Sequence, residues 1–176
     1  MIAEIKESPA AALATTEGTI DVPVTVEITA AKPPTGDPTF NFQGLDTRNS
    51  VWITSEAADF TLTLSPEGFP EGWSVTYDTT GPGPITWLSP GPEQPVPRPD
   101  YISEPLLDDS STVLTFTDTN TATVAKQDLV SFKVNIVITP PSGASMRFSS
   151  LSHTVSSPDP TIINVDPTGG ADGDGN

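Results

Sequence analysis

Val130-Ser131-Phe132-Lys133-Val134-Asn135-Ile136-Val137-Ile138 is the stretch that decides the fold. Val130, Phe132, Val134, Ile136 and Ile138 are apolar at every second position, against Ser131, Lys133 and Asn135. A strand turns successive side chains to opposite faces, so this period of two predicts a strand with one face in a core. The same grammar recurs along the chain. Val22, Val24, Val26 and Ile28 alternate with Pro23, Thr25, Glu27 and Thr29. Phe60, Leu62 and Leu64 alternate with threonine and serine, and so do Trp73, Val75 and Tyr77. Shorter candidates are 39–43, 51–54, 85–88, 113–117, 146–155 and 161–165. Pro23 has no N–H for a ladder, which predicts an edge or a bulge at that point of its strand.

About nine strands divided by turn residues predict an all-β chain, a single Ig-like antiparallel β-sandwich. No segment beyond residue 20 carries the i, i+3, i+4, i+7 spacing over three turns. The sandwich is expected over residues 19–167. Residues 1–18 read as a flexible arm or an added edge strand, and the Gly/Asp-rich residues 168–176 as a disordered tail. Residues 89–111 hold six prolines. They predict a long extended loop outside any sheet interior. Trp73, Tyr77 and Trp87 read as one hairpin turning through 79–84.

Composition excludes several chemistries. The chain has 176 residues, 23 Asp+Glu, 7 Lys+Arg and a net charge of −16. Such a field repels phosphate backbones and anionic headgroups, so neither nucleic acid nor membrane is expected as a partner. There is no cysteine and one histidine, His153. Thiol chemistry, zinc–thiolate sites and sites needing two imidazoles are therefore excluded. No run approaches the ~20 apolar residues that span a bilayer. The N-terminal stretch has no apolar h-region, so no secretory signal is read. The compartment stays open between cytoplasm and non-classical export, and no cofactor is expected.

The last third has a characteristic order of motifs. Phe116-Thr117-Asp118-Thr119-Asn120-Thr121 ends one strand, Phe132-Lys133-Val134-Asn135-Ile136-Val137 follows about ten residues later, and Ser157-Pro158-Asp159-Pro160-Thr161-Ile162-Ile163-Asn164 closes it. Residues 112–167 thereby resemble the DP-EP family, a group of small bacterial proteins. The resemblance implies a single Ig-like sandwich; it carries no activity and no catalytic residues. Read from the residues, Asp118 and Asn120 accept backbone N–H groups and end the strand, while Pro158 and Pro160 aim 161–165 as a final edge strand. Ile163 and Val165 are expected to face the core from that edge.

A binding or structural module without enzymatic activity follows best from this inventory, with a protein or glycan partner. The alternative is a carbohydrate-recognition module stacking sugars on Trp73, Tyr77, Trp87 or Tyr101, although aromatic residues alternating with aliphatic ones equally suit a core. A carboxylate-based hydrolase stands further behind, because nothing nominates a pair. A Ser-His-Asp site would have to use His153, and no Gly-x-Ser-x-Gly elbow accompanies it. No metal site is read. The candidate calcium ligands are Asp108, Asp109 and Asp118, and each equally suits a solvated turn. The Asp172–Asn176 end lacks the ligands to close a calcium loop.

Overall fold

The computed structural model describes residues 18–30, 37–89, 94–123, 126–141, 145–149 and 159–167. Among them there are eleven strands and no helix. The strands are β1 (Thr19–Thr29), β2 (Thr39–Gln43), β3 (Ser50–Ile53), β4 (Ala57–Glu67), β5 (Ser74–Tyr77), β6 (Ile85–Leu88), β7 (Leu106–Leu107), β8 (Val113–Thr119), β9 (Asp128–Thr139), β10 (Met146–Ser149) and β11 (Thr161–Asn164). They form two sheets. The first has the order β2-β1-β4-β8-β7; the second contains β10-β9-β11-β3, with β5 and β6 also on β9. Residues 1–17 of the arm read at 1–18, the tail at 168–176 and His153 lie outside the described residues.

The decisive stretch is the spine of the second sheet. On one side of β9, β6 pairs with 131–134 and β5 with 136–139; on the other, β11 pairs with 128–131 and β10 with 135–138. Tyr77 and Trp87 therefore do not share a hairpin. β5 and β6 run collinearly along one edge of β9, and residues 78–84 bulge out between them. Asn135 stitches that gap: its carbonyl accepts from Asp78 N–H, its N–H donates to Pro84 O, and its Nδ2 donates to Gly83 O.

The sheets are mixed rather than antiparallel. β1 pairs in parallel with β4, and β11 in parallel with β3. Between β1 and β4 the chain crosses to the other sheet to lay down β3, so β4 starts again from the end at which β1 began. Period-two alternation reports which face a side chain takes, not the direction of its neighbour. β11 is consequently an interior strand, between β9 and β3, and not an edge. Its facing is also one residue off the expectation. Ile162 and Asn164 point into the sandwich, whereas Ile163, itself only 9% exposed, is turned to the outer face between Trp52 and Leu129. A shift of one residue moves a strand's whole apolar set to the other face.

Pro23 shows how a strand flanked on both sides accommodates a proline. The β1–β2 ladder runs only from Thr25 to Thr29, so among the described residues nothing pairs with Pro23 on the β2 side. The chain leaves that ladder at Gly44, with φ +98°, where an added Cβ would sit 2.3 Å from the Pro23 carbonyl oxygen. Only glycine allows the exit.

The core lies between the sheets. Val22, Val24, Val26 and Ile28 of β1 and Phe60, Leu62 and Leu64 of β4 are buried, and so are all five apolar residues of the β9 stripe. At its centre Phe60 stacks on Phe116 with centroids 4.8 Å apart, and Trp87 meets Phe116 and Phe132 edge-on at 5.4 and 5.9 Å. The Pro-rich stretch, where described, runs along one margin. Pro95 bridges to Leu88, Ile102 to Asp118, and β7 pairs with β8 as the edge of the first sheet.

Candidate functional site

The four aromatic residues read as a sugar platform do not form one. Tyr77 is buried and donates its hydroxyl to Leu62 O at 3.0 Å, tying the two sheets together. Burial, reinforced by Asp108, holds its phenol well above the ordinary tyrosine range. Trp87 is buried in the aromatic centre. Trp73 and Tyr101 are half-buried and pack against the core. Tyr101 has its pKa pushed up to about 12 by burial, with the charges of Asp118 and Asp128 adding to it. Alternation between aliphatic and aromatic residues was the signature of a core face.

Of the calcium candidates, Asp118 is separated from Asp108 and Asp109. Asp108 organises the turn before β8: its carboxylate accepts from Thr112 and Val113 N–H, each at 2.8 Å, and from Ser110 Oγ. These hydrogen bonds, Ser110 first, hold its pKa down to about 2. The turn joins the sheets, since Ser111 O accepts from Tyr77 N–H and Thr112 O from Leu64 N–H. Asp109 is exposed beside it. Among the described residues no three acidic or imidazole side chains group as metal ligands.

Asp118 lies at the opposite end of the sandwich and does not end its strand as expected. It is fully buried at the end of β8, opposite the small Ala58 of β4. Asn164 Nδ2 of the facing sheet donates to both carboxylate oxygens, each at 3.1 Å. The Asn164 Oδ1 atom is buried and has no hydrogen-bond partner among the described residues. Asp128, directly across the ladder from Asn164, is also buried and is held by Lys126 Nζ at 2.8 Å and Thr121 Oγ1 at 2.8 Å. Burial is the main cause that lifts the Asp118 pKa to about 6; the Asn164 bond opposes it and the Asp128 charge adds to it. The Lys126 hydrogen bond does most to lower the Asp128 pKa.

Asn120 is the residue that ends the strand. Its Oδ1 accepts from Ala122 N–H at 3.0 Å. Its Nδ2 faces the carbonyls of Ile53, Ser55 and Val165 at 3.1, 2.9 and 2.7 Å. It thus gathers the ends of β3 and β11 against β8.

Directly outside this seam lies a feature that the sequence reading missed. Trp52, Ile163 and Leu129 are ladder partners on β3, β11 and β9, so they form a row across the outer face of the second sheet. Trp52 is 48% exposed and Leu129 40%. Ser50, Thr161 and Ser131 form the next row, with Ser131 and Thr161 hydroxyls 2.9 Å apart. The signal was present: Val51 and Ile53 flank Trp52, so inward facing of the first two turns the indole outward. Among the described residues β3 is an edge strand. Asp46 blunts that edge, accepting Ser50 N–H at 2.7 Å and donating its own N–H to Ser50 O. Ser50 is thereby withdrawn from further ladder pairing along that edge.

The first sheet offers a second feature, a shallow depression of about 390 Å³ bordered by Asp21, Asp59, Ser103, Leu106, Thr115 and Thr117. Asp21 and Asp59 are lateral neighbours in the parallel ladder, and Thr117 Oγ1 donates to Asp59 at 2.6 Å. Two carboxylates side by side repel one another, and here they stand on an open sheet face. No helix among the described residues is long and apolar enough to cross a membrane. No protein-family model matches the chain, and no curated protein matches it.

Proposed function

We propose that the chain is an Ig-like binding or structural module without enzymatic activity, and that it engages a partner through the outer face of its second sheet around Trp52. The observation that carries this reading is the Trp52–Ile163–Leu129 row, in which two large apolar side chains lie exposed on an otherwise hydroxyl-rich surface. Water gains nothing from an ordered apolar row, and contiguous exposed apolar side chains mark contact sites. Tryptophan is the residue type most enriched among those that dominate binding energy.

The carbohydrate reading has its own support at the same place. An indole beside the hydroxyls of Ser50, Thr161 and Ser131 offers a stacking plane and hydrogen-bonding groups together. Trp52 takes over the role that the buried Tyr77 and Trp87 cannot fill. The test is tryptophan emission of the wild type and of Trp52→Phe, titrated with a panel of neutral glycans, alongside sedimentation of both over a concentration series. A glycan response lost in Trp52→Phe supports the carbohydrate module. Self-association lost in the variant supports a structural one. Identical behaviour of the two chains in every arm refutes the assignment to Trp52.

A further inference from the structure

The row that carries the proposed function rests on β11 and β3, and these are joined to the first sheet at this end by two side chains. One is Asn120. The other is the contact between Asp118 and Asn164, which is fully enclosed and contains an imbalance. An ionised Asp118 has only acceptors, and it receives both its bonds from one amide nitrogen. The amide oxygen of Asn164 then has nothing to accept from. A protonated carboxyl removes the mismatch. With Nδ2 now astride both carboxylate oxygens, a turn of the amide in its plane brings Oδ1 to the new O–H while the carbonyl oxygen keeps the Nδ2 bond, and the two planar groups close a cyclic pair.

Apart from the Asn164 Nδ2 bond, which favours the ionised form, the surroundings of Asp118 favour the protonated one. From β4 it meets Ala58, which is uncharged; from the loop, Ile102 and Tyr101; from β11, Asn164; and from β9, the carboxylate of Asp128. Lys126 is committed to Asp128, and among the described residues no ion pair reaches Asp118. A buried carboxylate without a cation and beside a second carboxylate is costly to ionise.

We infer that the Asp118–Asn164 pair is a proton-operated clasp: protonated, it locks β11 and β3 onto the first sheet, and ionised, it loosens the face that carries Trp52. The sense follows from linkage. A carboxyl that holds its proton more tightly when folded contributes stability fully at pH below the ordinary carboxylate range, and loses it as pH rises through about 6. Asn164 lies between Ile163 and Val165, and Val165 N–H donates to Ile53 O, so loosening is transmitted to the strand of Trp52. The link to binding rests on the proposed function; the clasp itself does not.

The experiment uses the full chain without any ligand. Carboxyl ¹³C NMR follows Asp118, and amide hydrogen exchange, corrected for intrinsic rate, is compared at pH 5 and pH 8. The expected result is an Asp118 midpoint near 6, with Val165 and Thr161 amides opening more at pH 8, by up to about a hundredfold for a hundredfold change in proton affinity. Leu64, hydrogen-bonded at the opposite end, serves as the control. Asp118→Asn, which offers a permanent donor to Asn164 Oδ1, should lose the pH dependence. An Asp118 midpoint within the ordinary carboxylate range overturns the clasp, and that measurement needs no variant. A pH effect shared equally by Leu64, or one retained in Asp118→Asn, overturns it as well. If the clasp passes and Trp52→Phe changes no binding, the proposed function fails alone. If Trp52 binds with equal strength at both pH values, the link between clasp and face fails.

Discussion

Replacing Asn120 distinguishes an amide that donates to three carbonyls from a side chain that merely ends a strand. Nδ2 has two hydrogens and lies within 3.1 Å of the Ile53, Ser55 and Val165 oxygens, while Oδ1 takes Ala122 N–H. Alanine removes about three bonds at roughly 1 kcal/mol net each, so Asn120→Ala should cost about 3 kcal/mol. That is a large part of the ~5–15 kcal/mol by which domains are stable, but it leaves a folded chain. Asn120→Asp has nearly the same shape and keeps the bond to Ala122, so a purely steric role makes it the milder change. The geometry demands the reverse. Its second oxygen would face three carbonyl oxygens with no proton, and the charge should make it worse than alanine by at least about 1 kcal/mol at pH 7. The new carboxyl should hold its proton more tightly when folded than when unfolded. Its deficit should therefore shrink as pH falls below the ordinary carboxylate range and grow as pH rises through the folded value. Urea melts of the three chains at pH 4 and pH 7, with midpoints compared at constant slope, read both effects. If Asn120→Asp is as stable as Asn120→Ala or more so at pH 7, the amide does not hold β3 and β11 as described.

Three further outcomes are expected. Phe132→Ala empties a fully buried position that touches Trp87 and Phe116, and should cost about 3–5 kcal/mol in urea or thermal melts; an unchanged melting temperature would contradict the facing of β9. Gly44→Ala combines a positive φ with an approach of 2.3 Å to a backbone oxygen, so it should cost at least about 2 kcal/mol, and a neutral effect would show that β1 and β2 separate differently. Asp108→Asn should destabilise the chain at neutral pH, because the carboxylate that organises the turn before β8 has its pKa depressed to about 2. Its contribution is present above the ordinary carboxylate range and is lost as pH falls toward 2, so the gap from wild type should close between pH 4 and pH 2 in thermal melts.

Much of the fold is legible in the sequence because alternation is a local property. The ten stretches read as strands each hold one, and the buried faces of β1, β4, β8 and β9 follow directly from their periods. The eleventh strand, Leu106–Leu107, lies within the Pro-rich loop and is too short to show a period. Composition also shows which chemistries the chain lacks, since no fold supplies a thiol or a second imidazole that the sequence does not contain.

Partnership between strands was decided only in three dimensions. Ile162-Ile163 in β11 offers two equally apolar choices for the core, so a period of two cannot choose between them; the ladder with β9 and β3 places Ile162 inside and Ile163 beside Trp52. Asp118 and Asn120 look alike as turn formers, yet one is enclosed against Asn164, 46 positions away, and the other gathers three carbonyls. The candidate site has the same origin. Trp52, Leu129 and Ile163 are far apart along the chain and become a row because β3, β11 and β9 pair in that order. Alternation fixes the face a side chain takes within its own strand, whereas hydrogen bonding between distant strands determines what lies beside it.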